Sequence, residues 1–286
     1  MTAKNIRYGN NSLLIKKFDI KSMPDYVTIA MIAKRASGKS YLTREILFHM
    51  RDIPNAVAIS KTEKLNKFYS EFIPELYIYD EYSSSILDKI YQRQEQISND
   101  NERRRKEGKK TKDPRLILIM DDCMSSKSSW VKEQQISELF FNGRHYKMSF
   151  ILTMQFSLGI PPEMRSNFDF IFLLAEDFIN NRKRLYEHYA GMFPDFNTFQ
   201  QVFLDLTEHF GCMVINNRIH SKDIGEKVFW YRAKETPHFT MGSRKYKKYH
   251  DKKYDKNWNR KIEVFDPSIL LSKRKKESKL IIEKIY

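Results

Sequence analysis

The sequence has few cysteines and no long apolar segment. Cys123 and Cys212 are the only cysteines among 286 residues, which excludes a disulfide framework and a cysteine-rich metal cluster and favours a reducing compartment. No apolar run approaches the ~20 residues that are needed to cross a bilayer. The opening stretch, MTAKNIRYGNNSLL, has no apolar core of a secretory signal. We therefore expect no membrane span.

Negative charge is scarce relative to positive charge. The chain has 51 lysine and arginine residues against 36 aspartate and glutamate residues, a formal net charge of +15 and a pI near 9.5. This excess favours an anionic partner, with nucleic acid first and an anionic membrane surface second. A lysine-rich composition with solvated faces is the alternative that needs no partner. With 41% hydrophobic and 14% aromatic residues, the chain is too apolar to be wholly disordered.

The arrangement of apolar runs predicts an α/β fold, in a chain long enough for one large domain or one domain with appendages. Runs such as LILIM are nearly continuous, which is typical of strands covered on both faces. Strands separated by helices imply a mainly parallel central sheet flanked by helices. The predicted strands are Val27–Ala33, Ala56–Ser60, Leu76–Asp80, Leu116–Asp121, Ser149–Met154 and Phe168–Leu174, with Cys212–Asn216 and Val228–Arg232 as a late hairpin or edge strands. The predicted helices are Lys39–Met50, Glu63–Phe72, Ser84–Gln96, Trp130–Asn142 and Phe178–Tyr189.

Composition divides the chain into an N-terminal extension over residues 1–23, a central domain over residues 24–242 and a basic C-terminal tail over residues 243–286. Within the central domain, Gln92–Pro114 is polar and nearly free of apolar residues. This composition predicts the frayed end of a helix followed by a mobile basic loop. The tail holds about 15 lysine and arginine residues against about 6 acidic ones, which is more than half of the excess charge.

Aromatic side chains are spaced among the cations of this tail, at Tyr246, Tyr249, Tyr254 and Trp258. Aromatic rings between cations can stack on exposed bases, but a duplex hides its bases. We therefore interpret these four side chains as packing anchors. The cations of the tail and of the Arg103–Lys110 segment are suited to the phosphate backbone of nucleic acid.

The stretch MIAKRASGKSYLT, residues 31–43, predicts a phosphate-binding loop. It follows the apolar run VTIAMI and leads into the helical pattern SYLTREILFHM, and this strand–turn–helix context supports the motif. Gly38 allows the backbone to approach the phosphates, Lys39 is expected to reach the β- and γ-phosphates, and Ser40 is expected to hold Mg²⁺. The predicted nucleotide-binding residues are Ala33, Lys34, Arg35, Ala36, Ser37, Gly38, Lys39, Ser40 and Tyr41.

Ala33 departs from the pattern G-x-x-x-x-G-K-[ST], which begins with glycine. The first glycine helps the chain to leave the strand, so alanine there costs conformational freedom rather than a ligand contact. We expect the alanine to be tolerated if its φ is negative. A coincidental turn of small residues is the alternative.

Acidic residues follow an apolar strand in RLILIMDDCM, as a nucleotide site requires. Asp121 is predicted to hold Mg²⁺ and Asp122 to polarise the attacking water, because ligands bind at the carboxyl ends of strands in open α/β sheets. An ordinary Asp-Asp turn is the alternative. The strand SFILTMQ ends in Gln155, which is predicted to sense the γ-phosphate or position water, unless it is merely a polar residue at a strand end.

Arg144, in LFFNGRHYKM, precedes a strand and therefore lies away from the expected phosphate edge of its own subunit. An arginine in this position can act in trans and stabilise phosphoryl charge in a neighbouring subunit. A surface salt bridge is the alternative.

Taken together, the lysine loop, the strand ending in Asp-Asp, and the stretches FNGRHYKMSFILTMQ and GIPPEMRSNFDFIFLL resemble the poxvirus-type genome-packaging ATPases of nucleocytoplasmic large DNA viruses. These enzymes belong to the FtsK–HerA group of P-loop motors. The resemblance covers about residues 24–175 and is looser over residues 176–242. It implies a RecA/FtsK–HerA-like P-loop fold and an ATP-driven motor that moves double-stranded DNA into a preformed capsid.

The resemblance also implies roles for individual residues and partners. Lys39 and Ser40 correspond to the Walker A ligands, Asp121 and Asp122 to the Walker B pair, Gln155 to the polar sensor, and Arg144 or Arg165 to the trans-acting arginine. The implied cofactors are ATP and Mg²⁺. The implied state is a pentameric or hexameric ring with capsid or portal partners, in the host cytoplasm at the viral factory or in the virion.

Three other functions remain open from the residues alone. A monomeric nucleotide or nucleoside kinase would need a lid with several arginines and an acceptor pocket, and neither is clear in the sequence. A non-catalytic DNA-binding virion protein would use the basic tail and keep a relic nucleotide fold. A helicase or DNA-pumping ATPase of cellular or plasmid origin would share the same motifs.

Overall fold

The structure is a computed structural model that describes residues 3–8, 11–123, 130–155 and 159–257. Contacts divide the chain into two compact units, Met1–Lys252 and Lys253–Tyr286. The sheet and the candidate site belong to the first unit. In the second unit, the amide of Asn257 donates to Oδ1 of Asp255 over 2.9 Å. None of the helices in the described ranges is long and apolar enough to cross a membrane.

The described residues contain ten strands in one mixed sheet. These are β1 (Ala3–Tyr8), β2 (Asn11–Lys17), β3 (Thr28–Ile32), β4 (Ala56–Ser60), β5 (Ile78–Tyr79), β6 (Leu116–Asp121), β7 (Met148–Met154), β8 (Phe170–Leu174), β9 (Gly211–Asn216) and β10 (Val228–Arg232). Their order is β1-β2-β10-β9-β8-β3-β7-β6-β4-β5. The strands from β8 to β5 are parallel to one another, so their carboxyl ends meet at one edge.

Helices cover both faces of the parallel part. They are α1 (Lys39–His49), α2 (Glu63–Asn66), α3 (Ser84–Lys106), α4 (Gln134–Asn142), α5 (Pro162–Arg165), α6 (Ile179–Tyr189), α7 (Phe196–Thr207), α8 (Ile224–Lys227) and α9 (Arg244–Lys253). Successive strand residues point to opposite faces. Met31 therefore joins a cluster with Ile46 of α1, whereas Ile32 joins a cluster with Ile136 of α4 and Phe199 of α7. Full burial of such side chains contributes about 1.5–3 kcal/mol each, which is why these strands read as continuous apolar runs.

The predicted mobile loop over Gln92–Pro114 is wrong for most of its length, because α3 continues to Lys106. Two of its polar side chains, Gln94 and Asn101, are buried and make specific contacts. Nε2 of Gln94 donates to the carbonyl oxygens of Pro114 (2.9 Å) and Tyr146 (2.6 Å). Hydrogen bonds of this kind come from tertiary neighbours, so hydrophobic periodicity does not reveal them.

The end of α3 is held to the chain that returns toward β6. Nδ2 of Asn101 donates to the carbonyl of Lys112 over 2.9 Å, and Oδ1 of Asn101 accepts from the amide of Lys112 over 2.7 Å. Asp100 forms ion pairs with Arg103, Arg104 and Lys112. Hydrogen bonds from Lys112 and Arg104 hold the pKa of Asp100 below its usual range. The basic segment is therefore an ordered helix end.

Both predicted boundaries of the central domain also differ from the structure. The residues assigned to an N-terminal extension form β1 and β2, and β2 pairs in parallel with β10. At the other end, α9 belongs to the first unit except for its last residue, Lys253. Tyr246 of α9 is 6% exposed, stacks on Tyr77 with ring centroids 3.8 Å apart, and donates its hydroxyl to the carbonyl of Ala56 over 2.6 Å.

The packing interpretation of the tail aromatics is confirmed for Tyr246 and wrong for Tyr249, whose side chain is 56% exposed. Tyr254 is half-buried, and Trp258 lies outside the described residues. The strands β9 and β10 do pair antiparallel, but they lie inside the sheet between β8 and β2 rather than at its edge. The helix predicted over Glu63–Phe72 is limited to α2, which is followed by a short 3₁₀ turn.

Candidate active site

The predicted phosphate-binding loop connects β3 to α1. The amide of Ala33 donates to the carbonyl of Met154 over 2.9 Å, and Ala33 is not in the left-handed region, so alanine fits there without strain. The loop then passes through two left-handed residues, Ala36 (φ 60°) and Gly38 (φ 97°). Glycine adopts this conformation readily, whereas alanine at residue 36 is strained. Helix α1 begins after Gly38, whose carbonyl accepts from the amide of Leu42 over 3.1 Å.

Lys39 is the first residue of α1 and reaches toward the carboxyl end of β6. Its Nζ lies 3.1 Å from Oδ1 of Asp121, 2.6 Å from Oδ2 of Asp122 and 3.3 Å from the hydroxyl of Thr153. The three charged side chains are between 12% and 22% exposed. The structure thus brings together the predicted Walker A lysine and both predicted Walker B aspartates.

Asp121 is supported by polar side chains on both neighbouring strands. The sheet register places Ser60 of β4 and Thr153 of β7 beside Asp121. The hydroxyl of Thr153 donates to Oδ1 of Asp121, and the hydroxyl of Ser60 donates to Oδ2 over 3.2 Å. Both hydroxyl-bearing residues are buried. They fix the orientation of the carboxylate, and the sequence analysis missed both of them.

Two further buried groups flank Asp121. Burial raises the pKa of the Tyr69 hydroxyl well above its usual value, and the charges of Asp121 and Asp122 and a hydrogen bond with Asp121 raise it further. Burial, followed by the same two charges, raises the pKa of the Cys123 thiol to about 12. Both groups therefore stay neutral at physiological pH, which makes Cys123 a poor nucleophile.

Asp122 has a left-handed backbone conformation, and one of its carboxylate oxygens lacks a hydrogen bond within the described ranges. Its φ is 51°, which is strained for a residue other than glycine. Nε2 of Gln155 donates to Oδ2 of Asp122 over 2.9 Å, so the predicted sensor lies beside the predicted catalytic acid. Oδ1 of Asp122 is buried and has no hydrogen-bond partner among the described residues.

Oδ1 of Asp122, which is unpaired within the part of the chain that the structure describes, is a criterion for whether the site suits a metal–nucleotide complex. Buried polar atoms normally have partners, and Mg²⁺ takes oxygen ligands such as carboxylates together with substrate phosphates. Ser40, Asp121 and Asp122 contribute oxygen atoms to the same cleft. The residues present therefore fit Mg²⁺ together with a nucleoside triphosphate.

The cleft around these groups has a volume of about 780 Å³. It is lined by Ala33, Lys34, Arg35, Ala36, Gly38, Lys39, Ser40, Tyr41, Thr62, Asn66, Asp121, Asp122, Gln155, Phe210, Arg232, Ala233 and Glu235. Eight of the nine predicted loop residues are among them. Ser37 is the exception, because it is buried and its hydroxyl donates to the carbonyl of Lys34 over 2.7 Å. Lys34 also forms an ion pair with Asp177.

Several residues of this cleft were not predicted. Phe210, Arg232 and Glu235 belong to the chain around β9 and β10, which the sequence analysis treated as peripheral. Their approach to the loop depends on β9 and β10 lying inside the sheet. A polar threonine in the otherwise apolar run FILTM was the available signal for Thr153; no comparable signal marks Phe210.

Arg144 and Arg165 do not lie at the carboxyl edge. Arg144 is exposed and comes just before β7, whereas Gln155 follows the other end of that seven-residue strand, roughly 23 Å away at the usual rise per residue. Arg165 ends α5 just before β8, and its guanidinium lies over the ring of Tyr189 at 5.9 Å. The structure therefore places Arg144 as predicted, at the edge opposite the cleft of its own chain, and places Arg165 near the same edge.

Comparison with known proteins assigns the chain to a family. The family described as Poxvirus A32 protein matches residues 15–186, which is more than half of the chain and includes every predicted site residue. The chain belongs to the Poxvirus A32 protein family. This result confirms the resemblance that the sequence motifs indicated.

Viral relatives and a solved structure are also similar to this chain. Protein L437 of Acanthamoeba polyphaga mimivirus is 44% identical over 250 residues, which cover 87% of each chain. Protein 088R of Invertebrate iridescent virus 3 is 37% identical over 206 residues, covering 72% of this chain and 75% of the relative. The genome packaging NTPase B204 of Sulfolobus turreted icosahedral virus 2, solved with sulfate, superposes with a TM-score of 0.50 at 14% identity, over 75% of this chain and 100% of B204. That likeness concerns the fold and confirms the predicted P-loop α/β architecture with a mainly parallel sheet.

Proposed function

We propose that the chain is an ATPase that uses hydrolysis to move double-stranded DNA into a viral capsid. The observation that carries the ATPase part is the contact of Lys39 with Asp121 and Asp122 at the mouth of a strand–loop–helix turn. The Poxvirus A32 family and the likeness to the fold of a genome packaging NTPase support the packaging part.

Binding of the triphosphate depends on α1 and Lys39. The first amides of a helix have no intrahelical acceptor and attract phosphate. In the structure, Lys39 forms ion pairs with two carboxylates. A bound triphosphate offers more negative charge than these carboxylates, so the ammonium group exchanges part of its contact with them for the β- and γ-phosphates.

Hydrolysis depends on the groups at the carboxyl ends of β6 and β7. Asp121 and Ser40 would hold Mg²⁺, which neutralises charge on the phosphates when it is bound. Asp122 accepts a hydrogen bond from the attacking water and orients it. Gln155 is held to Asp122 and can contact either that water or the γ-phosphate. Loss of the γ-phosphate then changes what Gln155 contacts, which gives the motor a local switch.

The positions of the arginines support a ring arrangement. The cleft is at one edge of the sheet, whereas Arg144 and Arg165 are at the opposite edge. A head-to-tail interface places opposite edges of neighbouring subunits together and closes into a ring when the rotation permits. In such a ring of five or six subunits, Arg144 or Arg165 of one chain supplies positive charge to the γ-phosphate in the next.

DNA contact is assigned to basic surfaces. The cations Arg103, Arg104, Arg105 and Lys106 end α3. At about 1.5 Å per residue, α3 is roughly 34 Å long, whereas the neighbouring six-residue strand β6 spans about 20 Å, so the basic end extends past the sheet. Its cations and those of residues 243–286 would contact phosphates without regard to sequence. Capsid or portal contacts, and a place in the viral factory of the host cytoplasm, complete the proposal.

The test is ATP turnover by the full chain with and without linear duplex DNA. We expect DNA to stimulate turnover, and Lys39→Ala to abolish it. Lys222→Ala is the matched control, because Lys222 is exposed and lies outside the cleft. Movement along DNA is measured by ATP-dependent displacement of a third strand from a triplex.

The kinase and the non-catalytic alternatives predict different results. A monomer that phosphorylates a small acceptor would indicate a kinase. DNA binding without turnover, unchanged by Lys39→Ala, would indicate a non-catalytic DNA-binding protein. ATP turnover without displacement of the third strand would support the ATPase assignment and contradict translocation.

A further inference from the structure

Phe210 presents an exposed ring to the candidate nucleotide cleft. Its side chain is 65% exposed and lines the cleft. A Cβ built on Gly38 would lie 3.6 Å from Cβ of Phe210 and 3.7 Å from its Cδ1, so Phe210 borders the phosphate-binding loop directly. The exposed ring therefore offers a flat apolar surface beside the loop.

The backbone that carries Phe210 is strained. His209 (φ 51°, ψ 45°) and Phe210 (φ 62°) are consecutive residues in the left-handed conformation. This conformation is unfavourable for residues other than glycine. The turn continues into Gly211, where a Cβ would lie 2.3 Å from the carbonyl oxygen of Leu206. Strain of this kind persists where the surrounding structure enforces it, and it clusters at ligand sites.

The same cleft is bounded by a well-anchored segment after β10. Arg232 and Glu235 line the cleft. The buried carboxylate of Glu45 in α1 accepts from the hydroxyl of Tyr231 over 2.8 Å and from the amide of Lys234 over 2.9 Å. Glu45 therefore ties the helix that begins at the phosphate loop to the segment that carries Arg232 and Glu235. The cleft combines groups suited to phosphate with a flat aromatic surface and polar neighbours.

We propose that Phe210 is the platform on which the base of the bound nucleoside triphosphate stacks. This inference rests on the proposed function, since it assigns part of the same ATP site. A phosphate loop explains the binding of the triphosphate but not that of the base. Tyr41 and Phe210 are both exposed aromatic residues of the cleft, and Phe210 is the one whose ring lies within 4 Å of a Cβ built on Gly38. Stacking on an aromatic ring tolerates different bases because every base has a π-face. The strained turn then serves to hold the ring in the cleft.

The experiment compares two ligands that differ by the nucleoside. Dissociation constants for ATP and for inorganic tripolyphosphate, both with Mg²⁺, are measured by calorimetry on the full chain. We expect Phe210→Ala to weaken ATP binding about 10-fold or more while tripolyphosphate binding is unchanged. Phe210→Trp should keep ATP affinity. Phe141→Ala is the matched control, since Phe141 is a 42% exposed phenylalanine of α4 outside the cleft.

A second variant separates stacking from a structural role. Phe210→Gly removes the ring and relieves the positive φ, so we expect a melting temperature that is equal or higher together with weakened ATP binding. Unchanged ATP affinity in Phe210→Ala would overturn the inference. An equal loss of affinity for ATP and tripolyphosphate would also overturn it, because Phe210 would then act by shaping the phosphate-binding loop. If the wild-type chain bound neither ligand, the ATPase proposal would fail as well.

Discussion

Nζ of Lys39 lies 2.6 Å from Oδ2 of Asp122, and both side chains are largely shielded from water. Asp121 completes the cluster at 3.1 Å. Two carboxylates and one ammonium group in a partly buried site leave an excess negative charge, which favours the arrival of a cation. The same cluster therefore links folding stability to ligand binding.

This cluster predicts strong coupling between Lys39 and Asp122. Lys39→Met alone leaves two carboxylates without their counter-charge, and breaking one side of a buried pair costs up to about 3–5 kcal/mol. We expect a smaller loss for Lys39→Met combined with Asp122→Asn than the sum of the two single changes, by about 0.5–3 kcal/mol. Urea denaturation of the four proteins measures this coupling.

Additive losses in that cycle would contradict the ion-pair geometry. Nucleotide gives an independent check, because a ligand that binds the folded state raises stability with its concentration. We expect ATP with Mg²⁺ to raise the melting temperature of the wild-type chain and not that of Lys39→Met. An equal rise in both would show that Lys39 does not contact the phosphates.

Thr153 gives a second prediction, because its hydroxyl orients Asp121. Thr153→Val keeps the shape of the side chain and removes this hydrogen bond to a charged group, which costs about 1.5–3 kcal/mol. We also expect half-maximal turnover to require a higher Mg²⁺ concentration, since the carboxylate is no longer fixed. Thr207→Val is the control, because Thr207 is buried and its hydroxyl bonds only to the carbonyl of Phe203 among the described residues. Equal effects of the two substitutions on turnover would rule out a positioning role for Thr153.

The role of Asp121 could be predicted from the sequence, whereas that of Thr153 could not. Asp121 ends a continuous apolar run, so its position at the edge of a sheet follows from its own strand. Thr153 matters because the register pairs it with Asp121 across two strands, and register is a property of the folded sheet. The lysine loop, the acidic strand end and Gln155 were therefore predictable, whereas the residues that support them were not.

Tertiary contacts also explain the errors in the fold. Beyond Tyr91, α3 lacks an apolar stripe, and its helical conformation depends on contacts such as those of Gln94 and Asn101 with the returning chain. The first strands were missed because β2 pairs with β10, more than two hundred residues later. Phe210 depends on a left-handed turn at a residue type that rarely adopts it. Local pattern analysis has no access to any of these relationships.

Subunit mixing tests which arginine acts across an interface. Lys39→Ala subunits have an inactive cleft but an intact opposite edge. Arg144→Ala or Arg165→Ala subunits have an intact cleft but lack one arginine at the opposite edge. Mixing the two kinds creates interfaces that combine a normal cleft with a normal arginine. We expect Arg144→Ala mixtures to recover turnover, because Arg144 is exposed, whereas Arg165 lies over Tyr189. Recovery with Arg165→Ala alone would reverse the assignment, and recovery with neither would contradict trans action.

Truncation distinguishes the structural part of the basic tail from its charged part. Removal of residues 243–286 deletes Tyr246, which stacks on Tyr77 and bonds to Ala56. Loss of a buried aromatic side chain costs about 3–5 kcal/mol, so we expect a marked fall in melting temperature. Removal of residues 258–286 spares Tyr246 and its contacts, so we expect a smaller fall in melting temperature than for the longer truncation.

The shorter truncation therefore gives the cleaner test of DNA binding. Each phosphate contact contributes about −0.9 to the slope of log K against log salt concentration. We expect removal of residues 258–286, which hold eight lysine or arginine residues and four acidic ones, to weaken binding and make the slope shallower. Fluorescence anisotropy with a labelled duplex at several salt concentrations measures both quantities. An unchanged slope would exclude these residues as the phosphate contact. It would leave Arg103–Lys106 and the cations of residues 243–257 as the candidate surfaces, because both are intact in the shortened chain.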